Sequence, residues 1–148
     1  MTRTPQSLAD VFNIADEFVS RPAKEHPDKL AVLGVEREAS YAQVEIEVNR
    51  VAQALRDSGC KPGDRVLIAL PDSVEFVASF FGAAKIGAIA VPVNSIARVA
   101  DYRHYLSNSG ARFAMVHAPT LAEFASGIAA GALELVGASI VPVCTGRR

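Results

Sequence analysis

The sequence predicts an α/β fold in which a largely parallel sheet is covered by helices and preceded by an early β-hairpin. Three observations carry this expectation. Short apolar runs of strand type alternate with segments whose apolar residues recur at helical spacing. The main helical segments open on capping residues and close on glycine. After residue 65, each strand-like run is separated from the next by enough chain for a crossover helix, which parallel neighbours require. Such crossovers are expected to be right-handed.

Residues 1–12 mix polar and small side chains without a period and read as a loose lead-in. From Asn13 to Val19, the residues Ile14, Ala15, Phe18 and Val19 fall at helical spacing, with Pro22 limiting the helix. After His26-Pro27-Asp28, the run KLAVLGVEREAS reads as two strands joined near Gly34. Ser40 and Gln43 form a capping box, so a helix is expected from Tyr41. Val44, Val48, Val51, Ala52 and Leu55 make its apolar face, and Gly59 suits a left-handed C-terminal cap. Pro62-Gly63-Asp64 is a turn, and RVLIAL is a strand ended by Pro71.

Asp72 and Glu75 repeat the capping logic and place the start of the next helix. Its buried side is expected to be Val74, Val77, Phe80, Phe81 and Ala84, with Lys85 in the last turn and Gly87 as terminator. AIAVPV is the following strand; a helix over Val99–Asn108 stops at Gly110, and RFAMV is one more strand. Beyond Pro119 a helix is expected from Thr120 to about Ala130, and the Ala/Gly-rich remainder gives no clear assignment.

Half of the 148 residues are apolar, enough for one domain with a core. Fifteen Lys and Arg balance sixteen Asp and Glu, so no concentrated basic surface argues for nucleic acid. The apolar stretch from Val66 to Val93 is interrupted by Asp72, Glu75 and Lys85 and is no bilayer span. The first residues lack the features of a secretory signal, so a cytoplasmic location is expected, with Cys60 and Cys144 reduced. His26, His104 and His117 have no metal-site spacing. Glu36 and Glu38, and Asp16 and Glu17, are read as solvated faces, as is the small basic cluster of Arg98, Arg103 and His104.

Two blocks carry a more specific signal. SYAQVEIEVNRVAQALRDSGCKPGDRV and PDSVEFVASFFGAAKIGAIAVPVN resemble, in order and spacing, the start of the acyl-adenylating (AMP-binding) superfamily. Gln43-Val44 stands where that family usually has Glu-Leu. The stretches FNIADEFVSRPAKEHPDKLAVLG and VPVNSIARVADYRHYLSNSGAR are most similar to benzoate- and related aryl-CoA ligases. The resemblance implies a partial N-terminal subdomain of an acyl-CoA synthetase-like fold over residues 13–118, followed by a divergent tail over 119–148 that loses the likeness after about Phe124.

For the complete enzyme, the resemblance implies ATP, Mg and CoA as cofactors and a small-molecule carboxylate as substrate. The carboxylate attacks the α-phosphate of ATP, and the CoA thiol then displaces AMP. The family's phosphate loop, ending Gly-x-Pro-Lys, and its catalytic lysine have no counterpart in this sequence. SNSG at Ser107–Gly110 and the terminal CTGRR are too short and lack Pro-Lys. No catalytic residue is therefore carried over. Asn94 opens a loop that in some of these ligases runs near the CoA entrance, and Arg98 is either a CoA contact or a solvated arginine; Ile96 stands where a relative can place the basic group.

The expectation is a truncated N-terminal fragment of an AMP-forming, aryl-type CoA ligase, inactive alone. The alternatives are a non-catalytic binding module and one half of a two-chain ligase. Exposed apolar surface, suited to self-association or a complementary chain, is expected of the fragment, because the family's helices pack against sheet strands encoded later in the chain, and the binding module is expected to pair with another subunit that supplies the missing strands.

Overall fold

A computed structural model describes residues 12–129 and 139–142. Four parallel strands form the central sheet in the order β4-β3-β5-β6: β3 is Arg65–Ala69, β4 Ile89–Pro92, β5 Phe113–Val116 and β6 Ser139–Pro142. A separate antiparallel hairpin joins β1 (Leu30–Leu33) to β2 (Glu38–Ser40). The helices are α1 (Arg21–Glu25), α2 (Tyr41–Asp57), α3 (Val74–Lys85), α4 (Val99–Ser109) and α5 (Leu121–Ala129). The α/β class and the hairpin are as the sequence predicts. The strand Ser139–Pro142 is additional, and its β-branched run SIVP was hidden inside the Ala/Gly-rich tail.

Strict alternation along the two central strands divides the core. Val66, Ile68, Phe113 and Met115 face α2 and α3, whereas Leu67, Ala69, Ala114 and Val116 face α4 and α5. Both faces are covered, as a parallel sheet demands. Tyr102 of α4 is fully buried on the second face, edge-on to Phe124 of α5, with ring centroids 5.2 Å apart. On the far flank of α2 and α3, a third cluster joins Val44, Val48, Val74 and Ala78 to Val19 of the first helical segment and Ala39 of the hairpin.

Three local expectations need correction. The first helical segment does not stop at Pro22. It runs as a π-type turn over Asp16–Ser20 and continues as α1 to Glu25, with Pro22 just after the junction of the two. The cap of α3 is Ser73 rather than Asp72: its extended backbone lets Oγ accept from Phe76 N at 3.1 Å. The inner face of α3 is also rotated. Val74, Ala78, Ser79, Gly82 and Ala83 are buried, while Val77, Phe80, Phe81 and Ala84 are only partly so. Close approach to α2 selects the small residues, since a Cβ on Gly82 would lie 2.5 Å from Val51 Cγ1.

The capping box of α2 is formed as expected, with Ser40 N donating to Gln43 Oε1 and Gln43 N to Ser40 Oγ. The first helical segment is tied down at the end of α3. Asn13 Nδ2 donates to the carbonyls of Ala84 and Lys85, and Lys85 Nζ donates to Ser20 Oγ at 3.1 Å. The two Asn13 contacts satisfy terminal carbonyls that the helix itself leaves open.

Candidate functional site at the carboxyl edge of the sheet

All four strands end at one edge, so the loops after β3, β4 and β5 share it. The chain leaves β3 for α3 on one face and leaves β5 for α5 on the other, while β3 and β5 are neighbours. Divergent exits from adjacent parallel strands open a crevice, the position where ligands settle in open α/β sheets. A cavity of about 320 Å³ lies there, lined by the hairpin loop Gly34–Arg37, by Leu70–Glu75 and by His117 and Ala118.

Gly34 is needed for the hairpin to reach this wall, because a Cβ would meet the carbonyl oxygen of Arg37 at 2.6 Å. Arg37 then spans the crevice, with Nε and Nη2 donating to Glu75 Oε1 at 3.1 and 2.9 Å. Glu47 stands 3.9 Å from the same guanidinium. Partial burial is the largest single influence and raises the Glu75 pKa, but the hydrogen bonds and charge of Arg37, with a backbone N–H and Ser73, together hold the carboxyl below its ordinary value. Nothing in the sequence signals this pair, whose members are 38 residues apart.

Asn94 and Arg98 lie in the next loop of the same edge, between β4 and α4. Asn94 Oδ1 accepts from Ile96 N at 3.0 Å, so its side chain shapes the turn. Arg98 is the residue preceding α4; its N–H donates to Asp101 Oδ2 at 3.1 Å, and its side chain is exposed. Tyr102 Oη donates to Ser95 O at 2.9 Å, and Glu123 Oε1 accepts from Val99 N, so the loop is braced from α4 and α5. Burial pushes the Tyr102 phenol up, which keeps it the donor. Arg103 and His104 are exposed on α4, as a solvated face predicts.

The charge of this edge limits what it holds. Glu36, Asp72, Glu75, Asp101 and Glu123 outnumber Arg37 and Arg98, and Arg37 is already spent on Glu75. A triphosphate needs concentrated positive charge and converging backbone donors, which the described residues do not provide. Among them there is also no cluster of three metal-ligating side chains. Cys60 is buried and free, and burial raises its thiol pKa, away from nucleophilic reactivity. Cys144 lies outside the described residues.

Residues 19–143 match the model of the AMP-binding enzyme family, which takes in both the parallel sheet and its carboxyl edge. The chain belongs to the AMP-binding enzyme family. The match continues past Phe124, so the AMP-binding likeness reaches further than the sequence motifs suggested and includes β6. The chain is 37% identical over 108 residues to a 3-hydroxybenzoate–CoA ligase of Aromatoleum sp. (strain CIB), covering 72% of this chain and 21% of that protein. It is 42% identical over 81 residues to a long-chain-fatty-acid–CoA ligase of Mycobacterium tuberculosis, covering 55% and 16%. A benzoate CoA ligase from Burkholderia xenovorans LB400 superposes with a TM-score of 0.79 at 26% identity, over 89% of this chain and 26% of that one. The chain thus spans about a fifth of the length of the first relative and a quarter of the solved ligase. Aryl and fatty-acyl relatives match alike, so the α/β portion is common to ligases of different acids.

Proposed function

We propose that this chain supplies the N-terminal α/β scaffold of an AMP-forming carboxylate–CoA ligase and does not turn over alone. One observation carries the proposal: the family match spans the whole parallel sheet, while the carboxyl edge of that sheet is acidic and offers no phosphate cradle among the described residues. The scaffold's part is positional. It fixes the loops after β3, β4 and β5 on one rigid edge and braces them through Tyr102, Glu123 and the Arg37–Glu75 pair. Binding of ATP and Mg, and attack of the carboxylate on the α-phosphate, fall to residues outside this portion.

An aromatic acid is the substrate class favoured, on the strength of the hydroxybenzoate and benzoate ligases among the relatives. Within this reading Arg98, exposed at the start of α4, is offered to the anionic end of CoA, and Asn94 holds its loop in shape. The test is exchange of labelled pyrophosphate into ATP by the purified chain with benzoate or hydroxybenzoates. None above the acid-free control is expected. Robust acid-dependent exchange would overturn the division of labour.

A further inference from the structure

Tyr102 stands where a hydrocarbon side chain would pack as well. Its ring is fully buried on the second face of the sheet, in the cluster that holds Leu67, Leu106, Ala114 and Phe124. It meets the Phe124 and Tyr105 rings edge-on, with centroids 5.2 and 6.4 Å apart. None of that packing needs the hydroxyl. A phenol oxygen brought into an apolar cluster costs free energy unless it is hydrogen-bonded. Here its Oη donates to Ser95 O at 2.9 Å, seven residues back in the chain.

Ser95 is in the middle of the loop between β4 and α4. Val93 N donates to Ile68 O at 3.0 Å, closing the β4 ladder where the loop begins. Arg98 N donates to Asp101 Oδ2 and Val99 N to Glu123 Oε1, fixing where it ends. Between these points the Asn94 side chain bonds within the loop, accepting from Ile96 N. Ala97 is buried beside Tyr102 in the same cluster. Among the described residues, the Tyr102 hydroxyl thus supplies the hydrogen bond that ties the body of the loop to the core. With Ser95 and Ala97 held inward, Ile96 and Arg98 are left exposed.

We infer that the Tyr102 hydroxyl is a positioning group, which fixes the backbone at Ser95 so that the Arg98 side chain meets CoA from an anchored loop. This rests on the reading of Arg98 given above. Being enclosed, Tyr102 acts through the loop and not on the ligand. An anchored loop loses less freedom when a ligand binds, so the anchor is read as affinity.

The test titrates the full chain with CoA and follows its backbone amide resonances and amide exchange. CoA is expected to shift the amides of Asn94, Ser95, Ile96, Arg98 and Val99. Tyr102→Phe keeps the ring and removes the hydroxyl. It should weaken CoA about fivefold, the worth of one hydrogen bond, and speed exchange at Ile96 while β3 and β5 stay protected. Arg98→Ala should also weaken CoA, and adding Tyr102→Phe to it should cost nothing more. Tyr105→Phe removes a hydroxyl from the same helix and should change neither affinity nor exchange.

A Tyr102→Phe chain that binds CoA as tightly as the unmodified one, while Arg98→Ala binds it less well, overturns the positioning role and leaves the reading of Arg98 standing. So does a loss of affinity that comes with faster exchange throughout β3 and β5, or that adds in full to the loss in Arg98→Ala. The hydroxyl would then support the core and not Arg98. CoA that shifts none of these amides in the unmodified chain overturns the reading of Arg98, and the positioning role with it.

Discussion

Gly82 sets how closely α2 and α3 approach. A β-carbon there meets Val51 Cγ1 at 2.5 Å, Val51 Cβ at 2.8 Å and the Val48 carbonyl at 3.2 Å, so the helices must separate to admit it. Alanine gains about 1 kcal/mol of helix propensity over glycine, against roughly 1–3 kcal/mol for overpacking. With backbone among the obstacles the clash dominates, and Gly82→Ala should lower stability by about 1–2 kcal/mol, read as a shifted denaturation midpoint. Ser79, one turn earlier, has a buried Oγ without a hydrogen-bond partner among the described residues. Ser79→Ala removes an unpaired polar atom and should leave stability unchanged or raise it by up to about 1 kcal/mol.

The Arg37–Glu75 pair gives a pH signature. Glu75 titrates below its ordinary value of 4.5, so the pair's contribution is complete above that pH in the folded protein and is lost as pH falls through the depressed folded value. Glu75→Gln should therefore cost stability at neutral pH and not in strong acid. The pair is partly exposed, so the cost is about 1 kcal/mol or less. Equal costs at both pH values would contradict the assignment. None of these roles was legible from sequence spacing: Gly82 and Ser79 sit in a helix whose large apolar residues drew the predicted face, and Arg37 meets Glu75 only through the fold.

At the scale of elements the sequence was far more readable. The box Ser40/Gln43 and the left-handed glycines Gly59, Gly87 and Gly110 mark α2, α3 and α4 because each satisfies a specific backbone need at a helix end. Where two residues could cap, spacing alone did not decide. Asp72 and Ser73 both precede α3, and the extended backbone at Ser73 settles it. Ser73→Ala should cost about 1 kcal/mol, measured as a lowered thermal midpoint, while Asp72→Ala should cost much less. The strand β6 was missed because alanine and glycine around it mask a four-residue run that only its pairing with β5 reveals. Asn94 and Arg98 share one loop, and their geometry divides them: one side chain is tied into the turn, the other is exposed to solvent. In a ligase assembled on this scaffold, Arg98→Ala should raise the KM for CoA several-fold and leave the ATP and acid constants unchanged.

For the whole molecule, the family match and the parallel sheet belong together, since residues 19–143 include all four of its strands. The central sheet is covered on both faces, whereas the hairpin leaves Leu33 and Val35 exposed. No helix among the described residues is long and apolar enough to cross a membrane. The scaffold claim is tested most directly by transplantation: residues 19–143 replace the matching segment of the Aromatoleum 3-hydroxybenzoate–CoA ligase, and acid-dependent acyl-CoA formation is measured. The scaffold reading predicts a folded chimera retaining activity within about tenfold of the parent, equivalent to about 1.4 kcal/mol at the transition state. A chimera that folds and binds ATP yet forms no acyl-CoA with any acid tried would contradict it.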